Sequence, residues 1–183
     1  MVIRLLQDED YDQAVDLKIS CWDEELAGRA PNRRVKTEEY EFITRWVSTA
    51  TEHSDIRLAY GVFEGPELLG FAAASMANPS DAVNGIEINY LYVKKEHRRR
   101  GLALKLLDKL LTEFDGQGIQ KVVAYCHHYA PSNTFYRKLS GRVVRQDIQG
   151  APLDQLKVDV FVMDFKNLKR RLAWAIRAKY ART

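Results

Sequence analysis

The chain has 183 residues, 46% of them apolar and 29% charged, with a net charge of +3. That length allows one domain with a sizeable core, and the small charge excess gives no general reason to expect a nucleic-acid partner. The two cysteines, Cys21 and Cys126, lie outside any paired motif, which argues against a disulfide scaffold or a zinc site and suits a reducing compartment.

The N-terminus turns acidic within a few residues, so no signal peptide is expected. No apolar run approaches the ~18 residues of a membrane span, and the expected location is the cytoplasm. "VIRLL" reads as a short strand. Residues 8–25 carry a helical pattern with Tyr11, Ala14, Val15, Leu17, Ile19 and Trp22. After the loop "AGRAPNRR", a second helix is expected over about residues 37–51, with Tyr40, Ile43, Trp46 and Val47 on one face. "IRLAYGVF" and "ELLGFAAASM" form a predicted hairpin about "EGPE". "IEINYLYV" is a further strand, aromatic and β-branched. A helix from Gly101 to about Phe114 carries Leu102, Leu106, Leu107, Leu110 and Leu111 as an apolar stripe. "IQKVVAYCHH" reads as a strand, "PSNTFYRKL" as a short helix with Pro131 at a favoured early position, and "GRVVRQDI" and "KVDVFVMDF" as the last strands. The order predicts an α+β fold, a mixed and mostly antiparallel central sheet flanked by helices, over residues 1–165. A basic C-terminal helix over residues 166–183 is expected to pack on this domain or on a partner subunit, as in a homodimer.

The segment "YLYVKKEHRRRGLALKLLDKLL" places a strand, a sharp turn and a helix in succession. The first turn of a helix leaves N–H groups unpaired and carries partial positive charge, which suits a phosphate. Gly101 removes a side chain where an anion approaches, and Arg98, Arg99 and Arg100 add forked donors. The spacing lacks the Gly-Lys-Ser/Thr of a P-loop and the pattern GxGxxG. It does fit Arg/Gln-x-x-Gly-x-Gly/Ala, as Arg98-Arg99-Arg100-Gly101-Leu102-Ala103. A second motif, "FYRKLSG" at residues 135–141, follows it. With both motifs in this order, the chain resembles the GCN5-related N-acetyltransferases, and its element order resembles that family's acyl-CoA N-acyltransferase fold over roughly residues 2–165.

The resemblance implies acetyl-CoA as co-substrate and no metal. It implies a pyrophosphate held by residues 98–103 and a pantetheine arm paired with Leu91, Tyr92 and Val93. By the same resemblance Tyr136 protonates the leaving thiolate and backbone N–H groups near Leu91–Val93 meet the oxyanion; on the short amphipathic helix, Phe135 is expected to be the core aromatic. Period-two alternation puts Glu87, Asn89, Leu91 and Val93 on one face, and Glu87 is the candidate base. A glutamate that some relatives carry twelve residues before the tyrosine is Ala124 here. Their asparagine seven residues before it is Tyr129, with Asn133 as a possible substitute in binding the cofactor. His127 and His128 point to opposite faces and are not expected to chelate a metal; Cys126 is expected to be a buried thiol.

The expected acceptor is a small-molecule primary amine. Trp22 with Asp23, Glu24 and Glu25, and Asp147, Asp154 and Asp159 in or near the last loop, suggest a cationic one such as a polyamine. The alternatives are acetylation of a protein N-terminus or lysine, and a non-catalytic acyl-CoA sensor.

Overall fold

The computed structural model describes residues 1–150 and 155–181, so the expectation for Asp154 lies outside the described residues. The elements follow the predicted order: β1 (Val2–Leu5), α1 (Tyr11–Leu26), α2 (Lys36–Ser48), β2 (Leu58–Glu64), β3 (Glu67–Met76), β4 (Gly85–Val93), α3 (Leu102–Glu113), β5 (Lys121–His127), α4 (Pro131–Lys138), β6 (Arg142–Gln149), β7 (Leu156–Asp164) and α5 (Phe165–Tyr180). The strands are hydrogen-bonded in the order β1-β2-β3-β4-β5-β7-β6. The β1–β2, β2–β3, β5–β7 and β6–β7 pairs are antiparallel, and β4–β5 is parallel. The fold is α+β: among the described residues, a seven-stranded, mostly antiparallel sheet with five α-helices.

The chain divides into two compact units, Met1–Ser75 with Tyr90–Glu113, and Met76–Asn89 with Phe114–Thr183. In the first, Leu6, Val15, Ile43, Phe63, Leu68 and Phe71 form a core against which Trp46, Tyr90 and Tyr92 pack. β3 is buried from Leu68 to Ser75, as its unbroken apolar run requires. Gly70 allows a close strand approach there: a Cβ would lie 2.8 Å from the Tyr92 carbonyl oxygen. The leucine stripe of α3 is fully or nearly fully buried.

In the second unit the sheet has two distinct faces. One carries Val123, Val160 and Val162 with Ala77 and Ala82. The other is covered by α4, whose Tyr136 ring packs on Phe161 at 5.6 Å between centroids. β5 pairs with β7 through Ala124↔Phe161 and Cys126↔Asp159, which places Asp159 beside Phe161 on the α4 face. α5 starts at Phe165, capped by Asp164, which accepts from the Asn167 N–H at 2.9 Å. It buries Phe165, Leu168 and Leu172, while Trp174, further along, is 72% exposed.

Candidate active site

The turn expected to bind an anion belongs to the first unit. β4 ends at Val93, a 3₁₀ turn spans Lys95–His97, and α3 starts at Leu102. Between them Arg99 has φ +62° and Gly101 φ +86°. The two left-handed residues flank Arg100 and turn the chain sharply between the extended Arg98 and the first turn of α3, so that the turn's backbone lies next to the helix N-terminus. The first N–H groups of α3 add their partial positive charge. Leu102 is buried, so its contribution to such a site is its backbone.

The three arginines differ in their surroundings. Arg98 turns inward: Nε donates to the Val93 carbonyl at 2.9 Å, and Nη1 and Nη2 fork onto Glu24 of α1 at 2.9 and 3.1 Å. It lines a cleft of about 470 Å³ with Leu17, Ser20, Cys21, Glu24 and Lys95. Arg98 is therefore a strut between the turn and α1. Burial lowers its basicity, but the Glu24 carboxylate outweighs this and the net shift is upward. Arg99 is exposed and has no side-chain partner among the described residues, and Arg100 Nη1 lies 2.7 Å from His97 Nδ1. Within β4, Val93 is buried, and the Tyr92 hydroxyl accepts from the Trp22 indole at 2.8 Å. Burial, above all, pushes the Tyr92 phenol well up, so it stays protonated.

The second unit carries Glu87, Asn133 and Tyr136. Tyr136 is buried and Phe135 only half-buried, the reverse of the expectation that Phe135 is the core aromatic. The reason is the register of α4, which lays Tyr136 on Phe161 and turns Phe135 edge-on to it. Asn133 has both amide ends engaged, Nδ2 donating to Asp159 at 2.7 Å and Oδ1 accepting from Arg137 at 2.8 Å. It clamps α4 to β7.

Asp159, 0% exposed, also accepts from Gln146 Nε2 at 2.6 Å and contacts His128 Nδ1 at 3.0 Å. Burial alone would raise its pKa; the donors, Asn133 first, hold it below the ordinary value. The histidines do diverge: His127 stacks on Tyr129, while His128 turns to Asp159. Among the described residues, no group of three or more His, Cys, Asp or Glu could hold a metal ion.

Glu87 stands on the opposite face from α4. It pairs in register with Val123, and a Cβ on Gly85 would meet Ala82 and Ala77 of the valine face. Beside it, Asn89 Nδ2 donates to Glu87 at 3.3 Å, and the buried Asn89 Oδ1 has no hydrogen-bond partner among the described residues. Tyr125 shares this face, but burial, and after it the bond to Asp81, pushes its phenol up to about 12, which disqualifies it as a base at neutral pH. Pairing between β4 and β5 runs from Gly85↔Lys121 to Ile88↔Ala124, whereas β4 itself continues to Val93.

The family model for the acetyltransferase (GNAT) family matches residues 18–141, and the chain belongs to that family. It is thus an acetyltransferase by class. No curated protein matches the chain. Among solved structures, it is similar to an N-acetyltransferase from Staphylococcus aureus Mu50 (20% identity, 90% of this chain and 98% of that one, TM-score 0.70). It is also similar to the PaiA N-acetyltransferase of Thermoplasma acidophilum in complex with coenzyme A (19%, 86% and 96%, 0.64). A third is the ribosomal-protein-alanine N-acetyltransferase of Brucella melitensis (15%, 90% and 99%, 0.68). At these identities the likeness is one of fold.

The sequence did not reveal the Asp159 network or the pairing of Arg34 with Trp22 described below. A polar residue at a core-facing position in "KVDVFVMDF" was the available signal for the first. The second depends on a loop conformation that no periodicity encodes.

Proposed function

We propose that the protein transfers an acetyl group from acetyl-CoA to a primary amine of a small molecule by direct attack. The observation that carries this reading is the turn from Arg98 to Ala103, with its left-handed residues, first-turn amides and exposed arginines at the start of α3. These residues bind the pyrophosphate, Arg98 through its backbone. The strand Leu91–Val93 lies along the pantetheine arm, and its N–H groups meet the oxyanion.

The amine nitrogen attacks the thioester carbonyl carbon. A C–N bond forms, the carbonyl electrons move to oxygen and return, and the C–S bond breaks. Tyr136 gives its phenolic proton to the departing thiolate. Glu87 takes the proton lost by the amine; the Asn89 amide holds its carboxylate through Nδ2, and the unpartnered Oδ1 of the same amide offers a further acceptor for an amine N–H.

Thiol release from acetyl-CoA over a panel of small amines and short peptides tests the reading. Tyr136→Phe is expected to lower kcat by ~10²-fold, with acetyl-CoA affinity unchanged. Equal losses in both would remove Tyr136 as the acid. Turnover with peptides alone would move the acceptor to protein.

A further inference from the structure

The acidic end of α1 suggests a cationic acceptor, but in the structure those groups already have internal partners. The Arg34 guanidinium lies 3.6 Å over the Trp22 ring. Asp23 accepts from Asn32, and Glu24 is held by Arg98. Lys18 is buried, with its ammonium 4.7 Å over the Tyr90 ring. Lys18 and Arg34 share a single carboxylate, Glu39, and neither pairs with another acid among the described residues. Glu25 acts on the neighbouring Tyr92 through space.

Arg34 is incompletely satisfied. Its Nη1 donates to Glu39 at 2.5 Å. Its Nε is sealed from solvent and has no hydrogen-bond partner, and Nη2 has none among the described residues. These two N–H groups share one edge of the guanidinium, the edge that takes a carboxylate in a two-pronged fork. Stacking on Trp22 fixes the plane of that fork, and the side chain remains 29% exposed. A buried donor without an acceptor marks a missing partner. The cluster is tied to β4 by the bond from Trp22 to Tyr92, whose strand is the one proposed to lie along the thioester arm.

We infer that the Nε–Nη2 edge of Arg34 binds a carboxylate of the acceptor, so that the acceptor is an amine that also bears a carboxylate, such as an amino acid. A carboxylate there gives the two cations, Lys18 and Arg34, two anions. This rests on the acetyl-transfer reading and names its substrate class.

The test uses acceptor pairs that differ in a single carboxylate: lysine and cadaverine, tyrosine and tyramine, arginine and agmatine. The carboxylated member is expected to show at least ~10-fold higher kcat/KM. Arg34→Lys keeps the charge toward Glu39 but loses the fork, and is expected to bring each pair within ~2-fold while thermal stability and acetyl-CoA affinity hold. Equal rates within wild-type pairs, or a preference that survives Arg34→Lys, would overturn the inference. Calorimetric titration of the same amino acids into CoA-loaded protein provides a readout without turnover. Binding that Arg34→Lys abolishes supports the carboxylate site even if no thiol is released, in which case acetyl transfer is the reading that falls. Turnover confined to amines lacking a carboxylate leaves acetyl transfer standing and sinks the carboxylate site, as does the absence of any amino-acid binding to wild type.

Discussion

Arg98 and Gly101 occupy one short turn and act in different ways. Gly101 at φ +86° supplies a backbone conformation that a side chain resists. Gly101→Ala should cost about 1 kcal/mol of stability and weaken acetyl-CoA binding further, because the strain falls on the amides proposed to hold the pyrophosphate. A change in urea midpoint without any change in acetyl-CoA affinity would separate the glycine from the site. The left-handed turn at Gly101 was legible, because a strand, a glycine and an apolar helix in series call for a sharp turn. The inward turn of Arg98 was not, since its partner Glu24 lies 74 residues away. For the same reason Asp159, 31 residues from His128 and 26 from Asn133, could be suspected from its apolar surroundings but not given partners.

α4 illustrates what a single element needs. Pro131 starts it, Leu139 and Tyr136 bury its inner side, and Asn133 and Arg137 hold it to the Asp159 carboxylate. Removing that carboxylate strands several donors in a place without water. Asp159→Ala should therefore lower the free energy of unfolding by ~3 kcal/mol. It should also reduce kcat through Tyr136, which sits one turn from Asn133 on the same side of the helix. Denaturant unfolding checks the first expectation, and a loss below ~1 kcal/mol would show that the network relaxes around the gap. The strands and helices were readable to within a few residues, because apolar period and turn residues fix them locally. α1 deviates at its start: the expected helical start at Asp8 is a separate 3₁₀ turn, held by Asp10, which accepts from the Gln7 N–H and from Arg4.

Across the whole molecule, stability toward acid depends on a few buried carboxylates. The Arg4 hydrogen bond holds Asp10 below the ordinary value of 3.8. Asp159 and Asp81 lie below it as well, because their donors outweigh burial, and Glu39 lies below 4.5 through Lys18 and Arg34 despite burial. A carboxylate whose folded pKa is depressed contributes stability above its unfolded pKa and loses it as pH falls through the folded one. The melting temperature should thus hold near neutrality and fall steeply below about pH 4. A flat profile down to pH 3 would contradict the network. At this scale composition was informative about class, and the described helices include none long and apolar enough to cross a membrane. The proposed acceptor was not legible, because it rests on the loop that lays Arg34 on Trp22 and on the pairing of Lys18 with Glu39, 21 residues away.

The most direct test of the account compares the binding of acetyl-CoA with that of S-acetylpantetheine, which lacks the pyrophosphate, by calorimetry. The turn at α3 predicts that acetyl-CoA binds at least ~100-fold more tightly, and that Gly101→Ala narrows this ratio. Equal affinity of the two compounds would mean that the turn holds no pyrophosphate, and would contradict the account at its centre.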